Sequence, residues 1–328
     1  MSNSTNRVFT IAHHEYRSAV RSRILIVLTA ILITVTTVSV YIASVDYASS
    51  LADYLGYVNA AKNGGLSQIA PSPLAALSLL RGAFEYLEII GAVIAIALGY
   101  LTVSRERANR TLPLIRSRPV TSGELATGSL LGAVGVITTL VSVSAVVGVV
   151  GIGVIGHDWI GPSQGLQLLL AYIASIVYMC AFYCLGAIAT AKSRVAANGL
   201  MIALGIWLLV VLVLPQIGDT MDADNQIPGG LFKALGLGHD GEVSILTHFT
   251  GYERIRTWTE EASLAKHFER FSFAMSDVKE RYRPFNLPWL LGQTRNDIGW
   301  LIAYLGVLYA TLCRTFKQQQ ILNQEGKK

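Results

Sequence analysis

The sequence predicts an all-α integral membrane protein with six transmembrane helices, and two observations carry that expectation. Hydrophobic residues make up 52% of the 328-residue chain and charged residues only 14%, an apolar excess that a soluble domain has no core to hold. These residues also fall in long unbroken blocks rather than in strand-like alternation, and a block of about 20 apolar residues is what a helix needs to cross a bilayer. Only helices and closed barrels satisfy backbone polar groups in lipid, so continuous blocks imply helices.

The chain divides into an N-terminal segment 1–23, a membrane region 24–214 with a cytoplasmic helix at about 105–120, a loop or cap 215–296, and a last span with its tail, 297–328. In the first segment Val8, Phe9, Ala12, Tyr16, Ala19 and Val20 share one helical face and Arg7, His14, Arg17 and Arg21 another. That is the pattern of an amphipathic elbow helix resting in the membrane surface. No small-residue cleavage site follows the first apolar block, which reads as a retained span rather than a signal peptide. The spans are Ile24 to Val45, Ala83 to Val103, Leu130 to Ile155, Leu166 to Thr190, Ala196 to Leu214 and Asp297 to Cys313.

The net charge of +5 belongs to topology: Lys and Arg sit between the blocks and form no basic helix with interleaved aromatics, which argues against nucleic acid. Arg7, Arg17, Arg21 and Arg23 precede span one, Arg105, Arg107, Arg110, Arg116 and Arg118 join spans two and three, and Lys192 and Arg194 join four and five. Short basic connections stay in the cytoplasm, so both termini are expected there, in a multi-pass protein of the cell membrane. Lys192–Arg194 reads equally as a topology-setting loop or a second docking element. Two long segments fall outside, Asp46 to Gly82 and Pro215 to Asn296. Within the second, Glu253 to Arg283 is charged, with recurrent Ile255, Trp258, Leu264, Phe268 and Phe271, and reads as a solvated helical hairpin capping the bundle.

The chain lacks a G-x-x-x-x-G-K-[ST] phosphate loop, a G-x-S-x-G elbow and an H-E-x-x-H pair, so it is not expected to be an enzyme or to bind a cofactor of its own. The outer histidines His157, His239, His248 and His267 have no metal-ligand spacing, and Cys180, Cys184 and Cys313 lie in apolar blocks as small hydrophobes.

The stretch from Ser104 to Glu124 carries the most mechanism. Pro119 cannot continue a helix, and Thr121 with Glu124 has the spacing of a capping box, so a new helix starts here and runs into span three. The segment before it then lies across the inner surface, with Leu112, Leu114 and Ile115 beside Arg116 and Arg118, suited either to a cleft on a partner protein or to lipid headgroups. Glu106-Arg107, Thr111-Leu112 and Ser117-Arg118-Pro119-Val120 resemble the region between spans two and three of type-2 ABC transporter permeases. The flavour is similar to permeases associated with multicopper-enzyme maturation, including the nitrous oxide reductase system. The chain departs from that pattern at Arg110, Gly123 and Ser129.

The resemblance implies that Arg105, Glu106, Arg107, Thr111, Leu112, Arg116, Arg118 and Pro119 form the coupling helix that docks on a nucleotide-binding subunit. ATP and magnesium then belong to that partner, a second permease copy completes the transporter as a homodimer, and the direction is export. The long cap keeps open a platform that passes ATPase motion to an extracytoplasmic accessory protein; a passive channel fits less well. In span three, Gly128, Gly132 and Gly135 offer a small-residue surface for packing within the monomer or between subunits. Glu85 and Glu88, three apart near the outer end of span two, share a face and either line a substrate path or sit at the interface with Arg81.

Overall fold

The computed structural model describes residues 2–62, 75–108, 121–157, 159–221, 234–236, 250–278 and 286–325, all of them helix or the turns between helices. Six helical stretches are long and apolar enough to cross a membrane. In chain order the elements are α1 (Ser2–Val20) and α2 (Arg23–Lys62), then span two, built from a 3-10 turn (Ala76–Leu80), α3 (Arg81–Tyr86), a π turn (Leu87–Gly91) and α4 (Ala92–Ala108). Spans three and four are α5 (Ser122–Val154) and α6 (Pro162–Lys192). Span five is α7 (Ala196–Trp207), a π turn (Leu208–Val213) and α8 (Leu214–Met221); then come α9 (Thr250–Glu261), α10 (Leu264–Met275), α11 (Leu287–Gln293) and α12 (Arg295–Glu325), the last span. The end of the bundle carrying Arg23, Arg105 and Lys192 is called here the basic end, the other the far end.

The core is the crossing of spans two and four. In α6, 67% of the apolar window is buried, against 17% in spans five and six, so α6 is the central post and the outer spans present apolar faces outward. The crossing is close because Gly99 and Gly186 face one another's backbones: a Cβ on Gly99 would stand 2.3 Å from the Tyr183 carbonyl oxygen, and one on Gly186 2.5 Å from that of Ile96. Around it pack the fully buried Leu77, Leu80, Phe84, Leu87, Ile94, Tyr178 and Tyr183.

Three sequence expectations change. Helix α2 does not end at Val45 but continues to Lys62, so part of the segment Asp46 to Gly82 is helix; Tyr47, Leu51, Tyr54 and Val58 keep a half-covered stripe along it. The hairpin expected to be solvated is half interior. Its first arm, α9, is exposed, but α10 is buried along its length, with Phe268 stacked on Tyr178 at 4.6 Å between ring centroids. Its turn at Ser263 donates to the Val210 carbonyl at 2.7 Å, about 11 residues, roughly 16 Å, in from the end of α8. The hairpin's second arm is thus packed into the bundle.

Finally, the surface-lying N-terminal helix instead runs lengthwise along α5. Its contacts climb both helices together: Val8 and Ile11 at Gly128, Ala12 and Glu15 at Gly132, Tyr16 at Gly135 and Thr139. The apolar face foreseen for lipid is largely used against span three, leaving Phe9 (64% exposed) and Val20 (50%) outward.

Candidate functional site

Span two brings Arg105, Glu106 and Arg107 to its last basic-end turns, and each arginine is fastened to a different element. Arg105 donates from Nη2 to Glu15 Oε2 at 3.3 Å, from Nη1 to Ser18 Oγ, and from Nε to the Leu101 carbonyl at 3.0 Å. Thr102 Oγ1 donates to the same Glu15 oxygen at 3.1 Å. Glu15 is thereby held on the buried side of α1 by two side chains of span two. Arg107 turns the other way, donating to the carbonyls of Ala191 at 2.6 Å and Ser193 at 2.8 Å at the end of α6. A guanidinium there meets the carbonyls of a helix C-terminus, at the negative end of the helix dipole. Glu106 is half-buried between them.

Thr111, Leu112, Arg116, Arg118 and Pro119 lie outside the described residues. The chain reappears at Thr121, where the capping box is present: Glu124 N donates to Thr121 Oγ1 at 3.2 Å and Thr121 N to Glu124 Oε2 at 2.8 Å. Segment 109–120 is thus bounded by two helix ends, α4 and α5, with α1 against both. Gly128, Gly132 and Gly135 are covered by α1 rather than open to another subunit; a Cβ at Gly132 would stand 2.8 Å from the Ala12 carbonyl oxygen.

Burial raises the Glu15 carboxyl above its ordinary value, with Arg105, Thr102 and His14 opposing. An acid raised on folding binds its proton more tightly in the folded state, so its contribution is fullest below about 4.5 and is lost as pH rises from there through the raised value. Glu15→Gln removes that titration. Its melting temperature relative to wild type is expected to climb as pH rises above about 4.5; a difference independent of pH contradicts the placement of Glu15.

At the far end, the two carboxylates of span two part company. Glu85 pairs with Arg81 at 2.8 Å in the open, whereas Glu88 lies on the π turn within electrostatic range of Glu269, Lys266, Glu85 and Asp219. Glu88 there meets an ionic network centred on α10. Lys266 bridges Asp219 (2.9 Å) and Glu269 (2.8 Å), His267 Nδ1 meets Asp297 at 2.8 Å, and Arg270 pairs with Glu260 and lies 3.8 Å from Asp297. Spans two, five and six and the hairpin therefore meet through α10, whose charges, solvated in the sequence reading, are paired inside. Among the described residues no group of His, Cys, Asp or Glu is placed to hold a metal ion. His239 and His248 are outside the described residues.

Sequence spacing missed Glu15, Lys266, Asp219 and the Gly99–Gly186 crossing. Glu15 is the one acid in the basic segment 1–23, and that isolation was its only local signal. A comparison with curated proteins gave no match. Across residues 9–321, nearly the whole chain, the sequence matches the family described as ABC-2 family transporter protein. The six-span helical bundle agrees with that match, and the chain belongs to the ABC-2 family, the membrane component of ABC transporters.

Proposed function

We propose that this chain is the permease subunit of a type-2 exporter driven by separate cytoplasmic ATPase subunits, and that segment 105–120 is its coupling helix. Members of the family pair with nucleotide-binding ATPase subunits. What supports the finer reading is the anchoring of the segment's root: Arg105 fastens it to α1 and Arg107 to the end of α6, so a displacement of the segment reaches spans two, three and four at once. A second copy would complete the transporter through the outward faces of the weakly buried spans, with the basic end and both termini in the cytoplasm and ATP and magnesium held by the partner. Glu88, beside the α10 network, is the carboxylate assigned to the path; Glu85, paired in the open, is not. The maturation-permease flavour of the motif makes an export task linked to a periplasmic or extracellular metalloenzyme the reading of first choice.

Arg116→Glu with Arg118→Glu reverses the charge of the segment assigned to docking. Recovery of the ATPase subunit with the tagged permease is expected to fall on the order of tenfold, about 1.4 kcal/mol in affinity. Undiminished recovery removes the docking assignment.

One observation favours a platform that contacts an accessory protein outside: Ile255 (62% exposed) and Trp258 (70%) stand outward on α9. Deleting the hairpin would remove buried α10 as well, so the discriminating variant is Ile255→Ser with Trp258→Ser. The platform reading expects loss of the accessory task with ATPase coupling retained; the transporter reading expects neither to change.

A further inference from the structure

The rod formed by α1 and α2 records where the membrane begins. Before Arg17 its outward side chains are mostly polar, Ser4, Thr5, Asn6, Thr10, His13 and His14; from Ile24 they are apolar, with Ile24, Ile26, Val27 and Ile31 all exposed. The changeover falls between Arg17 and Ile24. Span two marks the same level independently: its apolar run ends at Val103, and the next residues, through Arg105, are joined to Glu15 and Ser18 of α1.

At that level Arg17, Arg21 and Arg23 are all exposed, with Val20 between them, and no carboxylate pairs with them among the described residues. Around the axis of α1, Phe9 and Val20 occupy one outward sector and His13, Arg17, Arg21 and His14 the adjoining one, while Ala12, Glu15 and Ala19 face the bundle. Three guanidiniums at the hydrocarbon boundary, above an apolar helix face that continues into the acyl region, complement a phosphodiester headgroup with its chains attached.

We propose that Arg17, Arg21 and Arg23 form a binding surface for anionic phospholipid headgroups of the leaflet at the basic end, directly behind the Glu15–Arg105 link. A headgroup held there restrains the α1–α2 junction, and the opposite face of the same helix is tied to the root of segment 105–120. Lipid charge therefore bears on the element assigned to coupling. The surface itself does not depend on the ATPase assignment, so either can fail alone.

The test uses the full chain in phosphatidylcholine bilayers carrying spin-labelled phosphatidylglycerol or spin-labelled phosphatidylcholine, and reads the motionally restricted fraction of each. The wild type is expected to prefer the anionic label. Arg17→Gln, Arg21→Gln and Arg23→Gln together are expected to lower that preference by about tenfold, with Arg21→Gln alone giving a smaller drop should the triple variant fold poorly. Arg314→Gln with Lys317→Gln, removing basic-end charge elsewhere, is expected to leave most of it. Equal restriction of both labels by the wild type, an undiminished preference in the arginine variants, an equal loss in the Arg314/Lys317 variant, or displacement by inorganic phosphate alone would each overturn the proposal.

Discussion

Gly99→Val is expected to be the most damaging single substitution in the bundle, lowering stability by about 3 kcal/mol or more. A Cβ at this position meets the Tyr183 carbonyl oxygen at 2.3 Å and the Ala187 amide nitrogen at 2.7 Å. Both belong to the backbone of α6, so no rotamer change relieves them and spans two and four must separate. Gly135→Ala provides the contrast: its Cβ would meet the Tyr16 ring at 3.1 Å, a side chain on the outer helix α1 that can give way. Gly205→Ala meets nothing within 4 Å and should be neutral or slightly favourable. Thermal melting of the purified protein in detergent orders the three; a Gly99→Val protein that melts with the wild type is incompatible with the crossing.

Arg105→Glu should have the second largest effect, because it places a carboxylate against a buried one. Removing one partner of a buried pair already costs a few kcal/mol, and a like charge adds to that; with Arg105 partly exposed, a loss of about 2 kcal/mol is expected. The damage is directional: α1 should lift from span three, seen as faster proteolysis at the Arg21–Ser22 junction, while the span two–four core holds. Adding Glu15→Gln to Arg105→Glu removes the repulsion and should restore most of the protection. Failure of the double variant to recover would mean that Arg105 acts through Leu101 or Ser18 rather than through Glu15.

What the chain revealed before folding, and what it withheld, divides along a physical line. The six spans, the start of α5 at its capping box and the amphipathic α1 were readable because each follows from residues near one another: apolar run length, the Thr121–Glu124 spacing, the helical period. The length of α2 was missed because its extension to Lys62 is polar enough to look like loop. Helix α10 was misjudged for a related reason. Lys266, Glu269 and Arg270 mark a solvated helix by composition, yet Lys266 and Arg270 also pair with Asp219, Glu260 and Asp297 on other elements, and no local pattern names a distant partner. The candidate site shows the same division. Arg105 and Arg107 stood out in a family-like stretch, but their anchors, Glu15 in α1 and the carbonyls of Ala191 and Ser193, became visible only when the helices were packed. The small-residue stripe of span three signalled close packing correctly and said nothing about its occupant, which is α1.

In the proposed mechanism, motion of a separate ATPase enters the bundle through the root of segment 105–120. The most direct measurement is to coexpress the chain with the ATPase encoded nearest to its gene, purify through a tag on the permease, and compare ATPase rates in lipid for wild type and Arg107→Ala. A stable complex is expected in both cases and, for Arg107→Ala, a several-fold loss of the permease's effect on the rate, since the tie to the end of α6 is cut while Arg116 and Arg118, the charges assigned to docking, are kept. A permease purified alone, or an ATPase rate indifferent to the permease and to Arg107, would contradict it.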